Sequence, residues 1–221
     1  MTQPVIRIVS VQVGRPQTRG VPHAEDPLDR PWTSAIHKSP VEGKIWLGTE
    51  GLAGDGQADR RHHGGPERAL LAYANSHYPK WQQELGLTAL GPGAFGENLT
   101  VAGLTEETAC IGDRLAIGDV VIEVAQPRQP CQNLARKFRV ADMVKRVESS
   151  GRGGWYLRVI GEGWLGAGML AELAARPNPE WTVCEAARVY QARRNDPASA
   201  RRLAECPALS SEWRERLAGR G

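Results

Sequence analysis

The stretch that decides the fold is IGDRLAIGDVVIEVAQPRQPC, residues 111–131. Arg114 to Ile117 and Val120 to Ala125 are two apolar, β-branched runs separated by Gly118 and Asp119, a pattern that reads as a β-hairpin. Its second strand then runs into two prolines, Pro127 and Pro130, which bracket Arg128 and deliver Cys131. Further strands are expected at Val5 to Val13, Lys44 to Leu47 and Trp155 to Ile160, and ENLTV after residue 96 also reads as strand. Only HYPKWQQELG (77–86) and VADMVKRVESSG (140–151) look helical in this part of the chain.

A boundary falls at RPNPEW, residues 176–181, where two prolines flank Asn178. Beyond it the pattern turns helical. Thr182 precedes VCEAARVYQA with Glu185 three residues on, Asp196 precedes Pro197, and Ser210 or Ser211 opens EWRERLAG. The expectation is a mainly β fold: a β-rich domain over residues 1–176 with a few peripheral helices, followed by a small three-helix domain over 182–221.

The chain has 221 residues, of which 41% are hydrophobic and 24% charged, enough to bury a core and ordinary for a globular protein. No apolar run approaches the roughly 18 residues of a membrane span, and the first residues lack the pattern of a secretory signal. The expected location is therefore the cytoplasm, where four widely spaced cysteines are not a disulfide framework. The net charge of +3 resides in the tail, where from residue 182 onward eight arginines meet five carboxylates. Such a tail could dock an acidic partner or nucleic acid, or simply present solvated helix faces.

Three segments are candidates for chemistry. GPGAFG at 91–96 matches G-x-G-x-x-G, but a strand follows it where a dinucleotide site needs a helix, so it is no Rossmann loop. Its backbone N–H groups, next to Glu97 and Asn98, could still cradle an anion. GDGQADRRHHGGPERAL at 54–70 concentrates arginines and glycines as a polyanion site would, while adjacent His62 and His63 lack the spacing of a metal pair. Cys131 follows a strand, is stiffened by prolines, and has Arg128 three residues away to favour its thiolate. A lone cysteine is in many settings only a small buried hydrophobe.

One thiolate cannot by itself hold zinc, and neither C-x-x-C nor H-E-x-x-H is present. Three readings of Cys131 remain: a nucleophile, a sulfur carrier, or the sole protein ligand of a metal whose other ligands come from a cofactor. The third accounts best for the nearby cationic donors and glycines.

DRRHHGGPERALLAY, HYPKWQQELG, GAFGENLT, IGDRLAIGDVVIEVAQPRQPC, GGWYLRVIGEG and RPNPEWTV together resemble the MOSC family, in its YiiM-like branch, over nearly the whole chain. The resemblance implies a MOSC β-barrel that binds the molybdenum cofactor, with a three-helix C-terminal domain. It implies that Cys131 ligates molybdenum and that the pterin and its phosphate lie among His63, Asn98, Arg128, Arg61, Thr100 and Arg158. It also implies a homodimer. The pyridoxal phosphate of cofactor sulfurases belongs to a separate domain for which this chain is too short, so none is expected.

The activity so implied is molybdenum-dependent reduction of N-hydroxylated compounds such as hydroxylamino-purines and hydroxylamines, with Cys131 and Arg128 at the reacting centre. With no flavin, haem or iron–sulfur motif, electrons would come from a separate reductase. Two alternatives stay open: sulfur delivery through a Cys131 persulfide, and, least favoured, nucleic-acid or partner binding by the basic tail.

Overall fold

The structure, a computed structural model, describes residues 5–59 and 64–219. Seven strands carry the fold: β1 (Ile6–Val13), β2 (Leu70–Ala74), β3 (Leu99–Ala102), β4 (Arg114–Ile117), β5 (Val120–Pro127), β6 (Trp155–Gly161) and β7 (Leu170–Ala175). Their spatial order is β7-β4-β5-β6-β2-β3-β1, and β1 pairs back onto β7 through Ile6 opposite Ala171. The sheet is thus a closed barrel, a solution that leaves no unpaired sheet edge among these strands. All pairings are antiparallel except β2 with β3, which run parallel. A short strand at Ser39–Pro40 adds onto β1, and smaller sheets form from Gln17–Arg19 with Trp32–Ser34 and from Lys44–Gly48 with its neighbours.

The hairpin read from residues 114–125 is β4–β5, with Val120 opposite Ile117. Nearly every residue of β5 is buried, on both faces of the strand. The cause is the tail: α4 (Val183–Ala192), α5 (Pro197–Ala204) and α6 (Ser211–Leu217) bring Trp181, Val183, Val189, Leu203 and Trp213 into one apolar cluster with Leu115, Ile117 and Ile122. Helices of seven to ten residues are marginal alone in water, and this packing stabilises them. The register of β5 against β6 shifts between Val124 and Gln126, and at that bulge the carbonyl of Ala125 accepts from the backbone N–H of Ser210. The barrel wall itself therefore helps to anchor the start of α6.

The tail caps follow the sequence in part. Thr182 accepts from the backbone N–H of Glu185 at 3.0 Å and Asp196 from that of Ser199 at 3.0 Å. Glu185, however, turns to Arg188 at 2.6 Å and leaves the capping box half made. Ser210 makes no side-chain cap bond at all. Much of the basic charge is engaged locally: Arg193 and Arg202 lie over the rings of Tyr190 and Trp181, and Arg216 pairs with Glu212.

A second apolar cluster sits beside the barrel. Tyr73, Trp81, Phe95, Leu134, Met143 and Val147 pack α1 (Tyr78–Leu85), α2 (Gln132–Phe138) and α3 (Met143–Ser150) together. The sequence reading anticipated α1 and α3 but not α2, which starts immediately after Cys131. No described helix is long and apolar enough to cross a membrane.

Candidate functional site

β5 ends at Pro127, and four residues later the chain enters α2 with Cys131 as its N-cap, in an extended conformation at φ −123° and ψ 166°. The turn between them opens onto a cavity of about 240 Å³. Cys131 and Arg128 line it, with Asn133 from α2, Tyr156 from β6, Phe95 and Asn98 from the glycine-rich loop, Thr33 to Ile36 and Lys38 from the front, and Asp55 to Asp59, Gly64 and Arg68 from the arginine-rich segment.

Arg128 is 8% exposed. Its backbone N–H donates to the carbonyl of Gly154 at 3.0 Å. Gly154 has φ +81°, and a Cβ there would lie 2.5 Å from the carbonyl of Ala72, so only glycine fits this backing. The guanidinium, by contrast, makes one long bond among the described residues, 3.5 Å to the carbonyl of Gly153. A buried cation with so little protein around its donors is poised for an anion. Arg68 is a second cation on the cavity wall: its Nε donates to the carbonyl of Gly64 at 3.3 Å, and its Nη1 lies 2.6 Å from Glu212 of α6. Burial pushes the Tyr156 phenol up; Arg128 and Arg68 oppose that push, while Cys131 and Glu212 add to it. The hydroxyl therefore stays protonated at neutral pH.

Beneath the cations lies a fixed polar chain. Lys38 meets Asp55 at 2.5 Å, and Asp55 also accepts from the backbone N–H of Gly14 at 2.7 Å and from Asn98 Nδ2 at 2.8 Å. Burial lowers the Lys38 ammonium and the Asp55 carboxylate opposes the shift.

The glycine loop does hold an anion, but one the protein supplies itself. Glu97 is fully buried and accepts from the backbone N–H groups of Gly93 at 2.6 Å and Phe95 at 2.9 Å, and from the Tyr78 hydroxyl. The expectation of free N–H groups awaiting a ligand is corrected: the cradle is filled. Lys137, on α2, closes the same knot by donating to the carbonyls of Gly93 at 2.7 Å and Ile36 at 2.9 Å. Burial depresses its pKa to about 8, with Glu97 opposing.

Of the site residues expected from the sequence, the structure brings Cys131, Arg128 and Asn98 to one cavity. Asn98 is already occupied: its Oδ1 accepts from the backbone N–H of Leu71 at 3.1 Å while its Nδ2 serves Asp55 and the carbonyl of Gln12. Thr100 is fully buried away from the cavity lining, bonded to Gln12 and Tyr78, each at 3.0 Å. Arg158 also lies off the lining and is paired with Glu123 at 3.1 Å and Glu67 at 3.2 Å. His63 and Arg61 fall outside the described residues. Sequence reasoning missed Lys38, Asp55, Arg68, Asn133 and Tyr156; Asp55 and Arg68 had a signal, their place in the segment 54–70.

Among the described residues no group of three or more His, Cys, Asp or Glu side chains could enclose a metal ion. A metal in this cavity would have to arrive with most of its ligands, needing from the protein one soft donor and counter-charges for its anionic carrier. One thiol beside two arginines is that set.

Known proteins share the two-part architecture that carries this cavity. Residues 59–170 match the MOSC domain, and residues 181–220 match the YiiM-like 3-alpha helix domain. The chain is 41% identical to YflK of Bacillus subtilis (strain 168) over 97% of its own length and 94% of the relative's. It is 39% identical, over 80% of its length, to a protein of Gibberella moniliformis named "Reductase", of which it spans 31%. The crystal structure of YiiM from Geobacillus stearothermophilus superposes with a TM-score of 0.80 at 32% identity, covering 97% of this chain and 98% of that one. The chain belongs to the MOSC family, in its YiiM-like branch.

Proposed function

We propose that this protein is a reductase of N-hydroxylated compounds, such as hydroxylamino-purines and hydroxylamines, that works with the molybdenum cofactor. The observation that carries the reading is the single thiol of Cys131 on the same cavity as the sparsely bonded guanidinium of Arg128 and a second arginine, Arg68. The family match and the relative named "Reductase" support it. When bound, the cofactor supplies the two-electron chemistry that takes oxygen from an N–OH group, giving the amine and, with two protons, water.

The chain's own residues do the rest. Cys131 gives one soft ligand, held in place by Pro127 and Pro130 on either side of Arg128 and by the start of α2. Arg128 and Arg68 neutralise anionic groups of the cofactor and exclude unpaired negative charge from the cavity. Tyr156 keeps a proton on its phenol oxygen at the cavity wall. Asp55, Lys38 and Asn98 fix the wall without reaching for ligand. Electrons come from a separate reductase.

The test is metal analysis with an N-hydroxy reduction assay on protein made in a host that synthesises the cofactor. The expected result is molybdenum in the wild type and none in a folded Cys131→Ala variant. Molybdenum-free wild type carrying an added 32 Da on Cys131 would instead establish the sulfur-carrier reading.

A further inference from the structure

Among the described residues, the helical tail touches the wall of the cavity through Arg68. In the turn Pro66–Arg68, Glu67 accepts from the backbone N–H of Ser211 at 3.0 Å and from its hydroxyl at 2.5 Å, so the barrel supplies the cap that Ser210 does not. Arg158 braces Glu67 from the other side at 3.2 Å. With the start of α6 pinned, the next residue, Glu212, is held against the cavity wall: its Oε2 lies 2.6 Å from Nη1 of Arg68 and its Oε1 2.6 Å from Arg216.

Arg68 is thus shared between the cavity and the tail. Its side chain is 16% exposed and that of Glu212 32%, so water screens the pair only in part. A carboxylate at that distance cancels much of the field that the guanidinium would otherwise send into the cavity. The phenol of Tyr156, on the cavity lining, responds to Arg68 and Glu212 with opposite signs, so the tail's charge is felt inside.

We propose that Glu212 is a specificity-determining counter-ion of the cavity: it restrains the positive charge presented by Arg68 and so sets how tightly the cavity takes a multiply charged phosphate or diphosphate group. This gives the tail a part in ligand selection, and it rests on the reading of the cavity as an anion-binding site. An ordinary acid in the first turn of a helix would favour α6 through the helix dipole alone and leave the cavity unchanged.

Calorimetric titration of inorganic pyrophosphate into the full-length, cofactor-free protein separates the two. Glu212→Gln should bind about 5- to 10-fold more tightly than wild type at low salt, with the advantage shrinking as salt rises. Glu212→Asp, which draws the charge back from Arg68 yet keeps a first-turn acid, should shift affinity in the same direction. Glu215→Gln, a charge removed elsewhere on α6, should change nothing, and in an Arg68→Gln background Glu212→Gln should add nothing. Equal or weaker binding by both Glu212 variants overturns the proposal, as does an equal gain from Glu215→Gln. So does the absence of pyrophosphate binding in every variant. Molybdenum content is read in a separate assay on loaded protein, so the reductase reading and this one fail independently.

Discussion

Two loops of this protein look alike in sequence and behave in opposite ways. GPGAFGEN (91–98) and QPRQPC (126–131) both carry prolines, both follow apolar runs and both carry charge. The first satisfies itself: Glu97 takes the N–H groups of Gly93 and Phe95, and Lys137 takes the carbonyl of Gly93. The second does not, leaving the Arg128 guanidinium with a single 3.5 Å bond among the described residues, in a cavity that also holds Cys131. A closed polar knot is a foundation, whereas an open one is where a ligand completes the bonding. Mutations should therefore cost stability in the first loop and ligand in the second.

The largest expected effect on stability is Glu97→Gln. Replacing the carboxylate with an amide points a donor at backbone donors, and denaturant titration should show a loss of about 3 kcal/mol. Lys137→Met removes the cation that closes the same knot. Because folding depresses this amine to about 8, the unfolded chain holds more protons above that pH, so wild-type stability rises with pH relative to the mutant. Between pH 8 and about 9.5 the difference should grow by up to about 1.4 kcal/mol per pH unit, and a flat difference would contradict the assignment.

The second loop should give smaller changes in stability. Arg128→Met discards a buried charge with little pairing, so the melting transition should move by no more than about 1 kcal/mol while calorimetric pyrophosphate affinity falls steeply. Cys131→Ala should shift stability least, by about 0.5 kcal/mol or less, yet leave the loaded protein without molybdenum. If Arg128→Met destabilises the fold as much as Glu97→Gln, the contrast between the loops is broken.

The β-hairpin and the tail helices were legible because their signals are local: alternation around Gly118 and Asp119, and caps at Thr182 and Asp196. α2 was not, for equally local reasons. It has only seven residues, is preceded by a cysteine that offers no cap oxygen, and is followed by Arg139 at φ +58° where glycine would announce the stop. Cys131 and Arg128 could be read as a pair because they lie three positions apart. Lys38 and Tyr156 could not, since only the fold brings positions so far apart in the chain to one cavity. The glycine loop was read correctly as an anion cradle and wrongly as an empty one, because sequence does not show that a carboxylate two to four residues on folds back into it.

The closure of the barrel sets a clock on biosynthesis. Ile6 is made long before its partner Ala171, so β1 must wait while the six other barrel strands and three helices are translated. At ordinary elongation rates that wait is about ten seconds or more, during which the end of β1 that meets β7 lacks its barrel partner on that edge. The tail emerges later still, and it docks on the β4–β5 hairpin. A chaperone that shields a lone strand edge would find its substrate in this nascent chain, and a slow codon placed just after Ala175 would give β7 time to seal the barrel before α4 emerges.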